Sequence, residues 1–522
     1  MNPSKAITSM LSFLHRSLLL GSMVAACCAA PLFAQQPEAL YHEPYRPQVH
    51  FSPEKNWTND PNGLVFFDGE YHLFFQYNPS GDTWGHMSWG HAVSSDLVHW
   101  KQLPLALPEH DGEMIFTGSI VIDEHNTSGF CQNGQPCMVA VYTSHRGTGE
   151  HDQRETQSLA YSLDRGRTWS FYDGNPVLDR EMTDFRDPSV TWNDEAKQWL
   201  MAVSLPNEHK VVFYQSADLK HWTEVSTFGP SGAIGGQWEC PDLIHLPATA
   251  QHDSLWVLKV GINPGALQGG SGEQYFLGSF DGRTFTQQPG PHSTGWSDYG
   301  KDSYCAISYN HLPANAAPVL LGWMDNWQYA DKLPTSPWRG QMTLPRELSL
   351  QHDSTGDTLA QQPILTGLRS GRGRHRKLQL SGTRMQLSAG NLSTPTEMLA
   401  TFTGATDGLY GLRFYSDNDH WVEVGFDEQK YHLYVDRTHS SIEIHKDFPA
   451  RTEAPLEPAR SRDLHLVLDR SSLEVFAQNG TLAMTNLLFP ASPYTRVQLF
   501  RSSGHATLRA ETSTWTLNSL WK

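Results

Sequence analysis

Asn56-Trp57-Thr58-Asn59-Asp60-Pro61-Asn62-Gly63 packs an acid, flanking amides, an indole, a proline and a glycine into eight residues. Leu64-Val65-Phe66-Phe67 follows and reads as a buried strand, and Asp68-Gly69 behind it is a hairpin turn signal. Pro61 offers no ladder donor and Gly63 permits positive φ, which predicts a strand edge or tight turn around Asp60. Alone, Asp-Pro-Asn-Gly is an ordinary turn with a solvated carboxylate. Two later acids in equally unusual settings change its meaning.

Working outward, residues 50 to 350 contain no long segment of helical periodicity; a β pattern recurs instead. Tyr71–Tyr77 leads to His91–Asp96 and Trp100, and Met138–Tyr142 leads to Ser158–Asp164 and Trp169. Trp199–Val203 leads to Val211–Asp218 and Trp222, Leu255–Val260 leads to Tyr275–Asp281 and Phe285, and Val319–Trp323 starts a fifth unit. Each unit is a strand, a loop, a second strand ending in Ser/Phe-x-Asp, and an aromatic. One small sheet cannot bury both its faces, so self-similar units stack around an axis. The expectation is an all-β chain with a five-bladed β-propeller over residues 45–365, its inner strands converging on one cavity.

The basic, glycine-rich run at 366–376 reads as a boundary. Beyond it, short alternating strands such as Leu409–Phe414, Trp421–Phe426, Tyr431–Val435, Leu464–Leu468 and Leu473–Phe476 predict a C-terminal β-sandwich over 376–522.

The chain has 522 residues and a formal net charge of −17, which argues against nucleic acid or an anionic membrane as partner. Its 17 Trp, 18 Tyr and 23 Phe against 18% charged residues suit ring-lined pockets of the kind sugars occupy. Residues 1–34 read as a signal peptide, with Lys5, His15 and Arg16 before a short apolar run ending at Leu32-Phe33-Ala34. That predicts a secreted or periplasmic protein without a membrane span; the alternative is a lipoprotein anchored through Cys27, which follows Val24-Ala25-Ala26. Cys131 and Cys137 bracket a short loop that a disulfide would close outside the cytoplasm, whereas Cys240 and Cys305 stand isolated. No cysteine or histidine spacing resembles a metal site, and no cofactor is implied.

Asp187 lies in Phe185-Arg186-Asp187-Pro188, beside a fixed cation, and Glu239 in Gln237-Trp238-Glu239-Cys240-Pro241, between an indole and a thiol. A carboxylate between apolar neighbours is costly unless paired or protonated, which predicts a raised pKa and a general acid at Glu239. Glycoside cleavage needs that asymmetry between two carboxyls. The three acids fall in different units of the repeat.

These three blocks resemble the signature blocks of glycoside hydrolase family 32, which contains invertases, inulinases and levanases. The resemblance extends through Gln76-Tyr77-Asn78-Pro79, Trp89-Gly90-His91, Phe116-Thr117-Gly118-Ser119, Gly322–Trp327, Pro334–Gly340 and Leu344–Leu348 to Ser471–Phe476. It implies a five-bladed propeller plus sandwich. It implies Asp60 as nucleophile, Glu239 as acid/base and Asp187 as transition-state stabiliser. It implies a fructose pocket of Asn59, Gln76, Trp84, Phe116, Thr117, Arg186 and Trp327, in which Arg186 and the amides hydrogen-bond hydroxyls. The substrate class is a fructan or sucrose-type carbohydrate, and Trp323 to Leu348 resembles exo-acting levanases and inulinases. Thr58 and Thr117 depart from the family pattern, where methionine and serine are common, and touch pocket detail only.

Three rivals compete. Ser162-Leu163-Asp164-Arg165-Gly166-Arg167-Thr168-Trp169 matches the sialidase Asp-box, but no arginine triad or nucleophilic tyrosine accompanies it. An inverting five-bladed glycosidase would hold its carboxyls about 6.5–9.5 Å apart rather than about 5–5.5 Å. A non-catalytic fructan-binding protein would keep the pocket without turnover. Fructosyl transfer shares the retaining intermediate.

Overall fold

The computed structural model describes residues 40–147, 153–247, 254–290, 294–353, 356–387, 395–404, 407–502 and 507–521, and Leu40–Lys522 is the unit described below. The leader-like segment and Cys27 lie outside these residues. Among the described residues the only helical segments are three short 3-10 turns, and no helix is long and apolar enough to cross a membrane. The fold is all-β.

Five antiparallel sheets come first. Their opening strands are Asn56–Phe67, Glu113–Asp123, Arg186–Asn193, Gln237–Leu246 and Tyr304–Ser308. In each sheet the following strands stack outward in chain order, except that the short Leu178–Asp179 and Thr294–Trp296 pair back onto Arg154–Ser162 and Gly272–Phe280, and Trp338–Arg339 adds a parallel partner to the start of the first. Apolar side chains fill every gap between consecutive sheets. Val65, Phe74 and Trp89 meet Ile120 and Met138; Val139 and Leu159 meet Val190 and Met201; Phe213 meets Leu258 and Phe276; Val257 and Leu277 meet Leu320 and Leu348. Ile307 and Leu321 of the fifth sheet then pack on Leu64, Leu73 and Phe75 of the first. The opening strands touch in the same cyclic order.

The recurring Asp has a local cause. Asp96 Oδ1 accepts the amides of Val98 and His99, and Asp164 Oδ1 those of Arg167 and Thr168. Asp218 and Asp281 repeat the arrangement with Lys220–His221 and Arg283–Thr284. Each carboxylate satisfies the turn's orphan donors, and Ser94, Ser162 and Ser216 donate to it from two residues upstream. The Asp68-Gly69 hairpin forms as the sequence predicts, with φ of 49° and 82°.

Asp60 sits on an open strand edge, as the sequence allows, and not in a turn. It lies inside the twelve-residue strand Asn56–Phe67, whose pairing with Glu70–Tyr77 slips between Thr58 and Pro61 and again between Asn62 and Val65. Between Trp57 and an isolated parallel bridge from Val65 to Asn310, the strand's other side has no ladder partner among the described residues, so the missing N–H of Pro61 breaks no ladder there.

Two six-stranded sheets follow, pairing Arg369–Leu380 with Leu508–Leu517 in one and Arg384–Leu387 with Arg496–Arg501 in the other. Leu412, Val424, Leu433, Leu466, Val475 and Leu499 are fully buried between them. The run read as a boundary at 366–376 is mostly strand: it bears exposed arginines, Gly371 at φ 69° lies in its bulge, and the Trp515 indole covers Gly373. Charged side chains and a bulge are how an outer strand avoids further pairing.

Polar anchors tie the two layers of architecture together. The buried Arg346 guanidinium donates to Asp298 (2.9 Å), Gln361 (3.2 Å), Glu474 (2.8 Å) and Thr485 (2.6 Å). Glu474 also accepts the Leu344 amide and faces His50, which pairs with Asp469 as well. Burial opposes a charge on His50, yet the two carboxylates raise its pKa to about 9. Arg437 is held likewise by Asp302 and Tyr329.

Removing one partner of such a buried cluster leaves its carboxylates uncompensated. Arg346→Ala is expected to destabilise by about 3–5 kcal/mol, read from the urea midpoint. Arg167→Ala, which breaks a more exposed pair with Glu70, should stay within about 1 kcal/mol.

Candidate active site

Every opening strand carries a register irregularity at the same level. In the five strands it falls between Thr58 and Pro61, Ile115 and Gly118, Arg186 and Ser189, Glu239 and Asp242, and Tyr304 and Ile307. A β-bulge bends its strand and re-aims the extra side chain. The residues inside these slips are Asn59 and Asp60, Phe116 and Thr117, Asp187 and Pro188, Cys240 and Pro241, and Cys305 and Ala306. Asp187, Cys240 and Cys305 adopt positive φ of 67°, 49° and 49° there.

The slips converge on one hollow of about 300 Å³. It is lined by Asp60, Asp187 and Glu239 and by all seven pocket residues expected from sequence: Asn59, Gln76, Trp84, Phe116, Thr117, Arg186 and Trp327. Trp84 is exposed at 46% and meets Phe116 edge-on, whereas Trp327 leans against Trp57 and Trp323. Asn59 Oδ1 accepts from Trp57 Nε1 at 2.8 Å, and Gln76 Nε2 donates to the Ile115 carbonyl at 3.0 Å. Below the hollow, a smaller cavity bordered by Thr117, Asp187, Cys240, Asp242 and Ser308 follows the strands inward.

The three carboxyls differ in partners. Asp60 Oδ2 accepts from Thr117 Oγ1 at 2.8 Å, while its sealed Oδ1 has no hydrogen-bond partner among the described residues. Burial raises the Asp60 pKa to about 7; the Thr117 hydroxyl pulls it down and the charge of Glu239 pushes it further up. Asp187 Oδ2 accepts the Cys240 amide at 2.8 Å. Burial and then the charge of Glu239 hold its pKa well above the ordinary carboxylate range, against the pull of Arg186.

Glu239 is placed otherwise than its sequence neighbours predict. Trp238 turns into the apolar layer between the third and fourth sheets, and alternation along the strand sends the Glu239 carboxyl the other way. There Oε1 accepts from Arg186 Nε at 3.0 Å, Oε2 accepts from the Tyr304 hydroxyl, and the side chain keeps 20% exposure. Its environment is an ion pair and a phenol, not an apolar cage. Burial and the adjacent Glu239 charge raise the Tyr304 pKa well above its usual value, so the phenol keeps its proton and donates.

Arg186 gathers several of these groups. Its Nη1 meets Glu155 (3.2 Å) and Asp184 (2.9 Å), and its Nη2 donates to Gln237 (2.9 Å). With all three nitrogens engaged by protein, it organises the carboxyls around the hollow that it lines.

Sequence reasoning missed Tyr304, Glu155, His145, Gln153 and Asn263, which also line the hollow. His145 stacks on Phe116 at 4.3 Å and pairs with Glu155. None sits in a telling motif; only the buried carboxylate of Glu155 beside Arg186 marks that group once coordinates are known. The cysteines correct another reading. Cys131–Cys137 is a disulfide, as the short loop allows, and so is Cys240–Cys305, although 65 residues separate the pair. Neighbouring opening strands bring those two together. Joined sulfurs offer no thiolate, so the Asp60, Cys240 and Cys305 cluster presents one carboxylate and is a poor cation site.

Comparison with known proteins gives a consistent picture. Residues 50–363 match the glycosyl hydrolases family 32 N-terminal domain and residues 365–516 its C-terminal domain. The levanase of Bacillus subtilis is 40% identical over 487 residues, covering 91% of this chain and 71% of that protein. The extracellular exo-inulinase of Aspergillus awamori is 40% identical over 517 residues, covering 92% and 96%. The crystal structure of exo-inulinase from Aspergillus awamori superposes with a TM-score of 0.85 at 38% identity, covering 92% of this chain and 100% of that one.

A carboxyl whose pKa rises on folding costs stability once the pH exceeds its unfolded value. The cost is absent near pH 4, grows with pH, and levels off above the folded value of about 7 for Asp60. Asp60→Asn should therefore unfold at higher temperature than the parent at pH 7.5, by the equivalent of a few kcal/mol (roughly 1.4 per pKa unit). Scanning calorimetry should show that gain vanish towards pH 4.

Proposed function

The chain belongs to glycosyl hydrolases family 32, and from that premise we propose that it is a retaining β-fructosidase releasing fructose from levan, inulin or sucrose. The five sheets are read as the blades of a five-bladed propeller over about residues 45–365, with the β-sandwich following at 376–522. Residues 1–34 are read as an export signal, which suits a relative named extracellular. Anchoring through Cys27 is the alternative.

Asp60 is the nucleophile. The observation that carries this reading is its place in the hollow that Glu239 also lines, at the register slip of the first opening strand. Thr117 holds its Oδ2 and so fixes the carboxylate plane. Three crowded carboxyls repel one another, and the cluster retains a proton into the neutral range through Asp60 and Asp187. When the leaving oxygen lies against Glu239, the proton shared by the three carboxyls resides on Glu239 and leaves Asp60 ionised; Glu239 passes it to that oxygen as the C2–O bond breaks and the Asp60 carboxylate bonds to C2. The departing sugar leaves as an alcohol. Glu239, now ionised and held by Arg186 and Tyr304, takes a proton from water as that water displaces Asp60 and frees fructose with retained configuration. Asp187, pinned by the Cys240 amide, accepts hydrogen bonds from fructose hydroxyls that tighten as charge develops. Trp84 and Trp327 flank the ring. A sugar in place of water gives fructosyl transfer by the same intermediate.

Product analysis tests the reading. Incubation with levan, inulin and sucrose is expected to yield fructose without an oligomer ladder, with the β-anomer formed first by NMR. Asp60→Ala should lower kcat by at least about 10³-fold with oligofructoside binding retained. First release of the α-anomer, or an active Asp60→Ala, would overturn it.

A further inference from the structure

We propose that the Cys240–Cys305 disulfide is a positioning element of the catalytic centre, which sets Glu239 and its phenol partner against Asp60 and makes turnover depend on the thiol state of this pair. The proposal rests on the reading of Asp60 and Glu239 given above.

The geometry is specific. Cys240 directly follows Glu239, and Cys305 directly follows Tyr304, the residue whose hydroxyl donates to Glu239. The S–S bond therefore joins the strand bearing the acid/base to the strand bearing its hydrogen-bond donor, one residue beyond each functional side chain. Both cysteines lie in register slips and hold positive φ, a conformation unfavourable for a residue with a Cβ and stable only where surroundings impose it. The backbone amide of Cys240 holds Asp187, so its conformation bears on a second carboxyl. Cys240 Sγ lies 3.8 Å from Asp60 Oδ2, a van der Waals contact with the remaining carboxyl. Both cysteines are almost completely buried beneath the hollow, among Trp57, Trp323 and Trp327. The other disulfide, Cys131–Cys137, lies in the apolar layer between the second and third sheets and borders no part of the hollow. One bond thus touches or tethers all three acids.

A dithiol reductant cleaves the bond by exchange. One of its thiolates attacks a protein sulfur to form a mixed disulfide, its second thiol displaces the protein sulfur, and the reductant leaves as a cyclic disulfide. The protein gains two electrons and two protons as two thiols. The strands then lose their covalent spacing, and the Cys240 S–H becomes a new donor beside Asp60. The groups that face this change are Asp60, Asp187, Glu239, Arg186 and Tyr304. Trp327 and Phe116 pack on the same cluster, whereas Trp84, Asn59 and Gln76 are not part of it, so turnover suffers more than substrate affinity.

The test compares full-length Cys305→Ala and Cys240→Ala/Cys305→Ala with the parent and with Cys131→Ala/Cys137→Ala. Kinetics on sucrose and an oligofructoside are measured across pH. Loss of the Cys240–Cys305 bond is expected to lower kcat by about tenfold or more, the scale of a sub-ångström misplacement. KM should stay within about twofold, and the acid limb of the kcat profile should move. Cys131→Ala/Cys137→Ala should keep the parent's kcat and pH profile. Parent protein refolded with and without dithiothreitol serves if a variant does not fold. Alkylation mass spectrometry then counts Cys240 and Cys305 thiols in the samples assayed, and lost activity should track those thiols and return on reoxidation. Full kcat with an unshifted pH profile in the double variant, or in parent carrying both thiols free, would overturn the proposal. Asp60→Ala separates the two readings: inactivity in both thiol states upholds the catalytic assignment whatever the cysteines do.

Discussion

Five strands slip their register at one level, and the chemistry of the molecule depends on that shared irregularity. A regular ladder would send alternate side chains into the apolar layers between sheets and leave the inner edges bare. Each slip instead brings a side chain within it or just before it to the hollow: Asp60, Thr117 and Asp187 from inside their slips, Glu239 and Tyr304 from the residue before, with positive φ at Asp187, Cys240 and Cys305. Proline follows Asp60, Asp187 and Cys240. It cannot donate to a ladder, so the slip loses less there than elsewhere. Functional side chains and unpaired backbone come from the same local event.

The slips need a rigid surround. Apolar layers separate the five sheets, side chains of the fifth pack on the first, and buried guanidinium clusters at Arg346 and Arg437 tie those sheets to the two C-terminal ones. Two blocks of the family resemblance far apart in the chain, Leu344–Leu348 and Ser471–Phe476, prove to be one contact: Glu474 accepts both the Leu344 amide and the Arg346 guanidinium. Satisfied buried charges of this kind restrict relative placement more than they add stability.

What was legible in the sequence was local. The Ser-x-Asp turns write their hydrogen bonds into six or seven consecutive residues, so the repeat shows without coordinates. Asp60, Asp187 and Glu239 stand out because proline, arginine and tryptophan beside a carboxyl are unusual company. What stayed hidden depends on contacts through space. Nothing near Tyr304, Glu155 or His145 in the chain announces the hollow, and the Cys240–Cys305 bond spans two sheets. Flanking residues also misled. Trp238 and Cys240 suggested an apolar cage for Glu239, but strand alternation turns the carboxyl towards Arg186 and Tyr304 instead. The glycine- and arginine-rich run near 370 looked like linker because its strand is held from one side, by Trp515 and Leu508–Leu517, while its own residues stay polar.

The account stands on the Asp60 carboxylate as the group that bonds to C2 while Glu239 handles the proton. Trapping that bond is the most direct measurement: Glu239→Ala, mixed with a fructoside whose leaving group needs no protonation, is quenched, digested and mapped by mass spectrometry. A hexosyl adduct on the peptide, localised to Asp60, is the predicted result. An adduct on Asp187, or rapid turnover that passes through no adduct and inverts the anomeric centre, would contradict it.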